Sequence, residues 1–477
     1  MLSLWHLNCI SIIIKIKKTA FVRPASEEIA MLIRRLYPRK LAIVYAMTLL
    51  LPLTAVIAAE AHEEQSNSKA VPLEDVQRFS NAIGEIKKYY VKPTDDKVLF
   101  DNAIRGMLSG LDPHSSYLDE EEFKELQTST SGEFGGLGLE VTMEDGVVKV
   151  VTPLVDTPAF KAGIKSGDYI IKLGKESVQG LSLKDAVNLM RGKSGSTIEL
   201  TVLRKGVNKA LTFDLIREVI QIKSVQSKLL SPGYAYIRLT QFQALTGRDM
   251  LQSIDRLKQQ SGGKLKGLIL DLRNNPGGLL DSAIQVSDSF LGKDKSGKPE
   301  KIVSTKGRLP GSDFTALAKG IDVLDDAPMI VLINNGSASA AEIVAGALKD
   351  NKRAIVLGTT SFGKGSVQTV LPLDEKTGIK LTTALYYTPS GTSIQAKGIV
   401  PDIVVNELEI PKTATKQSNA TGFSEADLSG HIINKNNAEK ITVKNPKAAQ
   451  PEDLLHNDYQ LYTALTVLEG MSLAANK

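Results

Sequence analysis

The 477-residue chain holds a single cysteine, Cys9, and only five histidines, His6, His62, His114, His431 and His456. One cysteine excludes an intramolecular disulfide and a cysteine-based metal cluster. No histidine stands between residues 130 and 410, which argues against a histidine-rich zinc site and against a Ser-His-Asp hydrolase. The sequence calls for no metal and no cofactor. An excess of positive charge is also lacking where it would matter. The formal charge is +5, but residues 1–61 carry eight Lys or Arg against three acids, leaving 50 of each sign in the rest. A nucleic-acid binder carries its positive charge on the folded part, so no nucleic-acid partner is expected. Hydrophobic residues make up 42% and charged residues 23%. That balance is ordinary for a globular protein and excludes whole-chain disorder and a multi-span membrane protein.

One long apolar run is present, from Leu41 to Ala59. Basic residues (Arg34, Arg35, Arg39, Lys40) precede it, and a small-residue site, Ala59-Glu60-Ala61, follows. This layout predicts a secretory signal peptide cleaved after Ala61, and hence an exported, periplasmic protein. The run is long and contains Pro52, so an uncleaved membrane anchor is the alternative. Residues 1–30 fit neither reading, which makes Met31 a candidate start. Loss of the leader removes Cys9, as suits an oxidising compartment without disulfides.

Beyond a polar linker at 62–70, the chain divides by texture. Residues 71–128 show helical periodicity, first at Val76, Phe79, Ile83, Ile86 and Tyr90, then from Asp96. Gly110-Leu111-Asp112-Pro113 breaks the pattern, and 119–128 read as a short acidic helix. Residues 130–218 are short β-like runs separated by turns, expected to form one β-rich domain. Residues 219–410 alternate strands and helices, as a layered α/β core does. Residues 411–451 are poor in apolar side chains and are expected to be a flexible linker. Residues 452–477 close the chain with an amphipathic helix carrying Leu454, Leu455, Leu461, Leu465 and Leu468.

Two segments carry chemistry. Residues 334–342 read Asn-Asn-Gly-Ser-Ala-Ser-Ala-Ala-Glu between an apolar strand and a helix. A serine on such a turn has backbone N–H groups beside it at the positive end of the helix, where an oxyanion is stabilised. The alternative is a plain Ser N-cap. Residues 358–366, Gly-Thr-Thr-Ser-Phe-Gly-Lys-Gly-Ser, resemble a phosphate loop, but Gly365 stands where Ser or Thr must hold Mg²⁺, and a strand follows instead of a helix. A nucleotide switch is therefore disfavoured. A serine nucleophile needs a base. Without histidine, a lysine made neutral by desolvation is the economical choice.

Together these segments resemble the carboxyl-terminal processing peptidases, or tail-specific proteases. The matching motifs are Gly336-Ser-Ala-Ser-Ala340 with Glu342, Phe362-Gly-Lys-Gly365 through Gln368, and Leu270-Asp-Leu-Arg-Asn-Asn-Pro-Gly-Gly278. Tyr386-Tyr-Thr-Pro-Ser-Gly391 and Gly398-Ile-Val-Pro-Asp402 complete the set. The resemblance spans about residues 71–405 and implies an α/β core of the ClpP/crotonase-like kind with an inserted PDZ domain. It implies Ser339 as nucleophile, Lys364 as general base and Gln368 as the residue orienting that lysine. It further implies an oxyanion hole from the N–H of Ala340 and one from Gly277 or Gly278. The 130–218 domain is similar to a PDZ domain, with Gly135-Gly136-Leu137-Gly138-Leu139 as carboxylate-binding loop. Arg191 is a candidate for relaying ligand binding to the core. The implied activity is serine endopeptidase action on exported proteins with accessible carboxyl termini. Self-association through the terminal helices and a helical-repeat adaptor are implied partners. The rival from another class is a non-catalytic PDZ scaffold. Asp271 and Arg273 read as a structural pair at a strand end, and Tyr386 and Tyr387 as groove lining or packing.

Overall fold

The computed structural model describes residues 71–408 and 451–475, with side chains over 454–474 in the last segment. The expected leader (1–61), the linker 62–70 and nearly all of 411–451 lie outside the described residues. The chain divides after Pro93 into two units. In the first, helix α1 (Leu73–Tyr89) has Glu74 and Asp75 in its first turn and Lys87 and Lys88 in its last, each matched to the helix dipole. None of its residues is buried.

The second unit begins with α2 (Asp96–Ser109), capped by the Asp95 carboxylate, which accepts the Lys97 N–H at 2.7 Å. The turn 110–115 leads into β1 (Ser116–Leu118) and α3 (Glu120–Ser131). A capping box of Asp119 and Glu122 starts α3, and Gly132 in the left-handed region ends it.

Next come β2 (Glu133–Gly136), β3 (Leu139–Glu144), β4 (Val147–Pro153), the short α4 (Pro158–Lys161), β5 (Tyr169–Leu173), β6 (Glu176–Ser177), α5 (Leu183–Met190), β7 (Thr197–Leu203), β8 (Leu211–Ile216) and β9 (Glu218–Gln221). Strands β3, β4, β5, β7 and β8 form one antiparallel sheet, with β6 on β5. Its core holds Val148, Val150, Ile170, Leu200 and Val202, alternate residues facing inward as the strand period requires. Strands β2 and β9 pair antiparallel, so the chain enters and leaves this domain side by side.

The α/β core follows: β10 (Val225–Ser231), β11 (Tyr234–Leu239), α6 (Thr246–Gln260), β12 (Gly267–Asp271), α7 (Leu280–Asp288), β13 (Lys301–Gly307), β14 (Phe314–Leu317), β15 (Met329–Ile333), α8 (Ala340–Asp350), β16 (Ile355–Gly358), β17 (Ser366–Pro372), β18 (Gly378–Tyr387) and β19 (Ile403–Val404). The chain ends in α9 (Pro451–Asn457) and α10 (Tyr459–Ala475). The main sheet runs β10-β11-β12-β15-β16-β19, parallel from β11 onward. Both its faces are covered, which is why β12 and β15 read as unbroken apolar runs. Met329, Val331 and Ile333 pack into the main core with Met250, Ile254 and Val344, whereas Ile330 and Leu332 face Leu461, Ala464, Leu465 and Leu468 of α10. A second sheet, β1-β18-β13-β14 with β17 on β18, holds the β17-β18 hairpin that follows the Lys364 loop.

The expected single C-terminal helix is therefore two, broken at Asp458. The leucines expected to offer an oligomer surface there (Leu461, Leu465, Leu468) are buried within the protomer. Arg273 anchors α10. Its guanidinium donates to both oxygens of buried Asp271 at 3.0 and 2.7 Å and to both oxygens of Asp458 at 2.8 Å. Asp458 in turn caps α10 through the Leu461 N–H at 3.0 Å. Replacing Arg273 by alanine leaves the fully buried Asp271 carboxylate without its cation. The expected loss is about 3–5 kcal/mol in a urea titration; an unchanged midpoint would contradict the anchoring.

Candidate active site

Strand β15 delivers Asn334, whose side chain organises the turn that follows. Its Oδ1 accepts the N–H groups of Asn274 (2.9 Å) and Gly336 (3.1 Å), and its Nδ2 donates to Asn274 Oδ1 (2.9 Å). The two serines of the turn then differ. Ser337 is fully buried; its hydroxyl donates to the Leu272 carbonyl at 2.8 Å and accepts the Asn334 N–H at 3.0 Å. Ser339 is half-buried and stands at the N-cap of α8 with φ +53° and ψ −115°. A serine in that left-handed region is strained by about 1–3 kcal/mol, so its surroundings must hold it there.

The Glu342 carboxylate does so. It is fully buried on the first turn of α8. Its Oε2 accepts the N–H of Ser339 at 2.8 Å and the N–H of Lys364 at 2.9 Å. Its Oε1 accepts the N–H of Gly363 at 2.7 Å and the hydroxyl of Ser361 at 2.5 Å. Burial pushes the Glu342 carboxyl above the usual carboxylate range, and the four donors pull against it. All four partners donate, so the site is built for the ionised form. The backbone nitrogens of Ser339 and Lys364 thereby lie within two hydrogen-bond lengths of one another.

Lys364 is half-buried in the loop between β16 and β17. Burial draws its ammonium below the usual lysine value; the Lys380 ammonium adds to this, and Asp112 and Glu342 oppose it. Among the described residues none hydrogen-bonds its Nζ, and none joins that atom to the Ser339 hydroxyl. Gln368 lies on β17 opposite Thr382 of β18. Its Nε2 donates to Ser366 Oγ at 2.9 Å and to Thr382 Oγ1 at 3.3 Å. Its Oε1 has no partner among the described residues.

Opposite Ser339 stands the Gly277-Gly278 turn. A Cβ at Gly277 would come within 2.8 Å of Ser339 Cβ, and one at Gly278 within 2.1 Å of the Phe242 carbonyl; both glycines have positive φ. The Gly277 N–H is committed to Asn275 Oδ1 at 2.9 Å. The neighbours of Gly278 bond Phe242, through Phe242 N–H to Gly277 O at 2.9 Å and Leu279 N–H to Phe242 O at 2.8 Å. The N–H of Gly278 therefore points away from Phe242. Neither it nor the N–H of Ala340 has a hydrogen-bond partner among the described residues.

The β-rich domain holds a second site. A pocket is lined by Gly136, Leu137, Gly138 and Leu139 on one side and by Val187, Met190 and Arg191 on the other. The N–H groups of Leu137 and Gly138 have no partner among the described residues, and the Gly135 carbonyl is taken by the Gly192 N–H at 3.0 Å. The Arg191 guanidinium lies 5.0 Å over the Phe134 ring, with a buried Nε that has no hydrogen-bond partner among the described residues.

Tyr386, expected as packing or groove lining, is almost fully buried; its phenol donates to the Lys364 carbonyl, and the Ser339 hydroxyl faces it. Asp112 and Thr382 were also missed. The spacing of Glu342 three residues after Ser339 was a usable signal, since it is a capping-box spacing. Tyr386 opens one of the matching motifs, whereas nothing local marks Thr382.

The chain is similar to several known proteins. The sequence model of peptidase family S41 matches residues 233–405, that of the PDZ domain residues 135–215, and that of the activating protease CtpB N-terminal domain residues 41–122. The chain is 45% identical to the carboxy-terminal-processing protease of Bartonella bacilliformis over 88% of this chain and 94% of that protein. It is 37% identical to the carboxy-terminal processing protease CtpA of Bacillus subtilis over 71% of this chain and 70% of that one. It is 36% identical to the carboxyl-terminal-processing protease of a Synechocystis species over 67% of this chain and 74% of that one.

Glu342→Gln turns one acceptor oxygen into a donor facing donors. It is expected to lower stability by about 2–5 kcal/mol, read from the urea midpoint; a parental midpoint would mean the four bonds do not bind the two loops.

Proposed function

The chain belongs to the carboxy-terminal processing proteases of peptidase family S41, serine peptidases that here carry a PDZ domain, and from that membership we propose that Ser339 and Lys364 are its nucleophile and general base. The observation that carries the reading is the Glu342 oxygen bonded by the N–H groups of both residues. Ser337 is sealed and doubly bonded, which favours Ser339.

Neutral Lys364 takes the Ser339 proton as Oγ attacks the peptide carbonyl. The oxyanion accepts from the N–H of Ala340, at the positive end of α8, and from the N–H of Gly278. Gly278 is preferred to Gly277 because the Gly277 N–H is already engaged. The lysine then protonates the leaving amine, and water hydrolyses the acyl-enzyme. Gln368 presents Oε1 to the lysine and steadies it. The Ser339–Lys364 bond forms in the substrate complex, where catalytic hydrogen bonds commonly tighten.

The PDZ pocket takes the substrate's carboxyl terminus, its carboxylate on the free N–H groups of Leu137 and Gly138, its chain added to a strand edge. Arg191, beside that pocket with an unpaired Nε, is the candidate relay of occupancy to the core. The domain division proposed is a leader to residue 61, a helical region 71–128, the PDZ domain 130–218 and the peptidase core 219–410. A linker (411–451) and the C-terminal helical segment from 452 follow. The leader supports export to the periplasm, with exported proteins as clients. No described helix is long and apolar enough to cross a membrane. Helical residues 71–128 are the proposed surface for self-association, and a helical-repeat adaptor remains part of this reading.

The test is cleavage of an unfolded protein with an apolar carboxyl terminus, with EDTA present and no nucleotide. Ser339→Ala and Lys364→Ala are each expected to lower the rate by about a thousandfold or more; retained cleavage in either variant would remove that residue's role. The neutral lysine is the active form, so the rate rises with pH through its ionisation. Lys380 helps to lower that ionisation. Removing the like charge in Lys380→Gln raises it, and the acid limb moves to higher pH; a limb that stays put would contradict the assignment of Lys364 as base.

A further inference from the structure

The turn 110–115 lies some 250 residues before the lysine loop in sequence, yet it touches the same hairpin. Strand β1 pairs with β18, with Ser116 opposite Lys380, so the turn sits beside Thr382. The Asp112 carboxylate gathers four donors. Oδ1 accepts the N–H groups of His114 (2.8 Å) and Ser115 (3.0 Å) and the Thr382 hydroxyl (3.1 Å), and Oδ2 accepts the Ser115 hydroxyl (2.6 Å). Ser115 Oγ in turn accepts the Thr382 N–H at 3.1 Å. These bonds hold the Asp112 carboxyl below its usual range, so it is an anion that only accepts.

That polarity travels. The Thr382 hydroxyl must spend its one proton on Asp112, which leaves only lone pairs for its other neighbour. That neighbour is the Gln368 carboxamide, so Nε2 is the end it selects, at 3.3 Å. The amide oxygen is then the end left to face away from Thr382.

We propose that Asp112 is a positioning residue of the peptidase centre: through the Thr382 hydroxyl it sets which end of the Gln368 carboxamide is offered to Lys364. The proposal rests on the Ser339/Lys364 reading above. It ties the turn ahead of the PDZ domain to the base, so a shift of that turn changes the base without touching the nucleophile. The charged and titratable groups facing Lys364 are Lys380 on β18, Glu342 on α8, and Asp112 and His114 on the turn.

The test uses the full chain, the tail substrate and four variants, with kcat, KM and the pH profile as readouts and thermal unfolding as a check on folding. Thr382→Val cuts the wire and keeps the charge. It is expected to lower kcat on the order of tenfold to a hundredfold, with KM near parental and the acid limb in place. Thr382→Ser restores the hydroxyl and is expected to restore kcat, which a packing role for the threonine methyl would not do. Asp112→Asn removes the charge that opposes deprotonation of Lys364, so its acid limb moves to lower pH, while its kcat falls because an amide no longer dictates the hydroxyl's direction. Parental kcat in Thr382→Val, or no recovery in Thr382→Ser, overturns the proposal. Lys364→Ala separates the two failures. If it is inactive while Thr382→Val and Asp112→Asn are parental, this inference alone fails. If it still cleaves, the Ser/Lys reading fails and this inference with it.

Discussion

One buried carboxylate holds the peptidase centre together. Glu342 collects the N–H groups of Ser339, Gly363 and Lys364 and the hydroxyl of Ser361, and so joins two loops that leave neighbouring parallel strands. A single charge accepting four donors is stronger than the same donors left to water, because the low dielectric inside raises each bond's worth. The same bonds hold Ser339 in a backbone conformation that serine avoids. Strain at Ser339 and burial at its anchor are thus two sides of one arrangement.

The sheet makes that arrangement possible. Parallel strands β15 and β16 lie side by side, with Ile333 opposite Gly358, and both chemical loops leave from their carboxyl ends. The helix that follows β15 is buried on nearly every face, which suits a rigid platform more than a surface element. Helix α10 closes the far face, pinned by Arg273 between Asp271 and Asp458. The sheet is therefore sealed on both sides, with the site at its end.

Much of this was legible in the sequence, and for physical reasons. The apolar runs at 267–271 and 329–333 mark strands covered on both faces. Gly110-Leu111-Asp112-Pro113 ended a helix as expected, and the Gly135–Leu139 segment turned at the mouth of a pocket. Strands β13 and β14 were not expected because their residues, such as Lys301–Gly307, mix exposed and buried positions without clean alternation. The break at Asp458 escaped because Asp458 serves both as a helix cap and as an ion partner of Arg273, a contact made across 185 residues. Long-range polar partners were the general blind spot. Asp112 reads as a turn residue, Thr382 as a strand residue and Tyr386 as groove lining or packing, and only their meeting in space brings them together at the site.

The central claim is that Ser339 and Lys364 form one reactive pair. The most direct measurement is the rate at which a phosphonofluoridate labels the full chain as pH is varied. An apolar tail peptide would be present, and the adduct would be located by peptide mass mapping. The account predicts one adduct, on Ser339, forming at a rate that rises through an ionisation below the ordinary lysine value of 10.5. Labelling at Ser337 or elsewhere, or a rate on Ser339 that passes through no such ionisation, would contradict it.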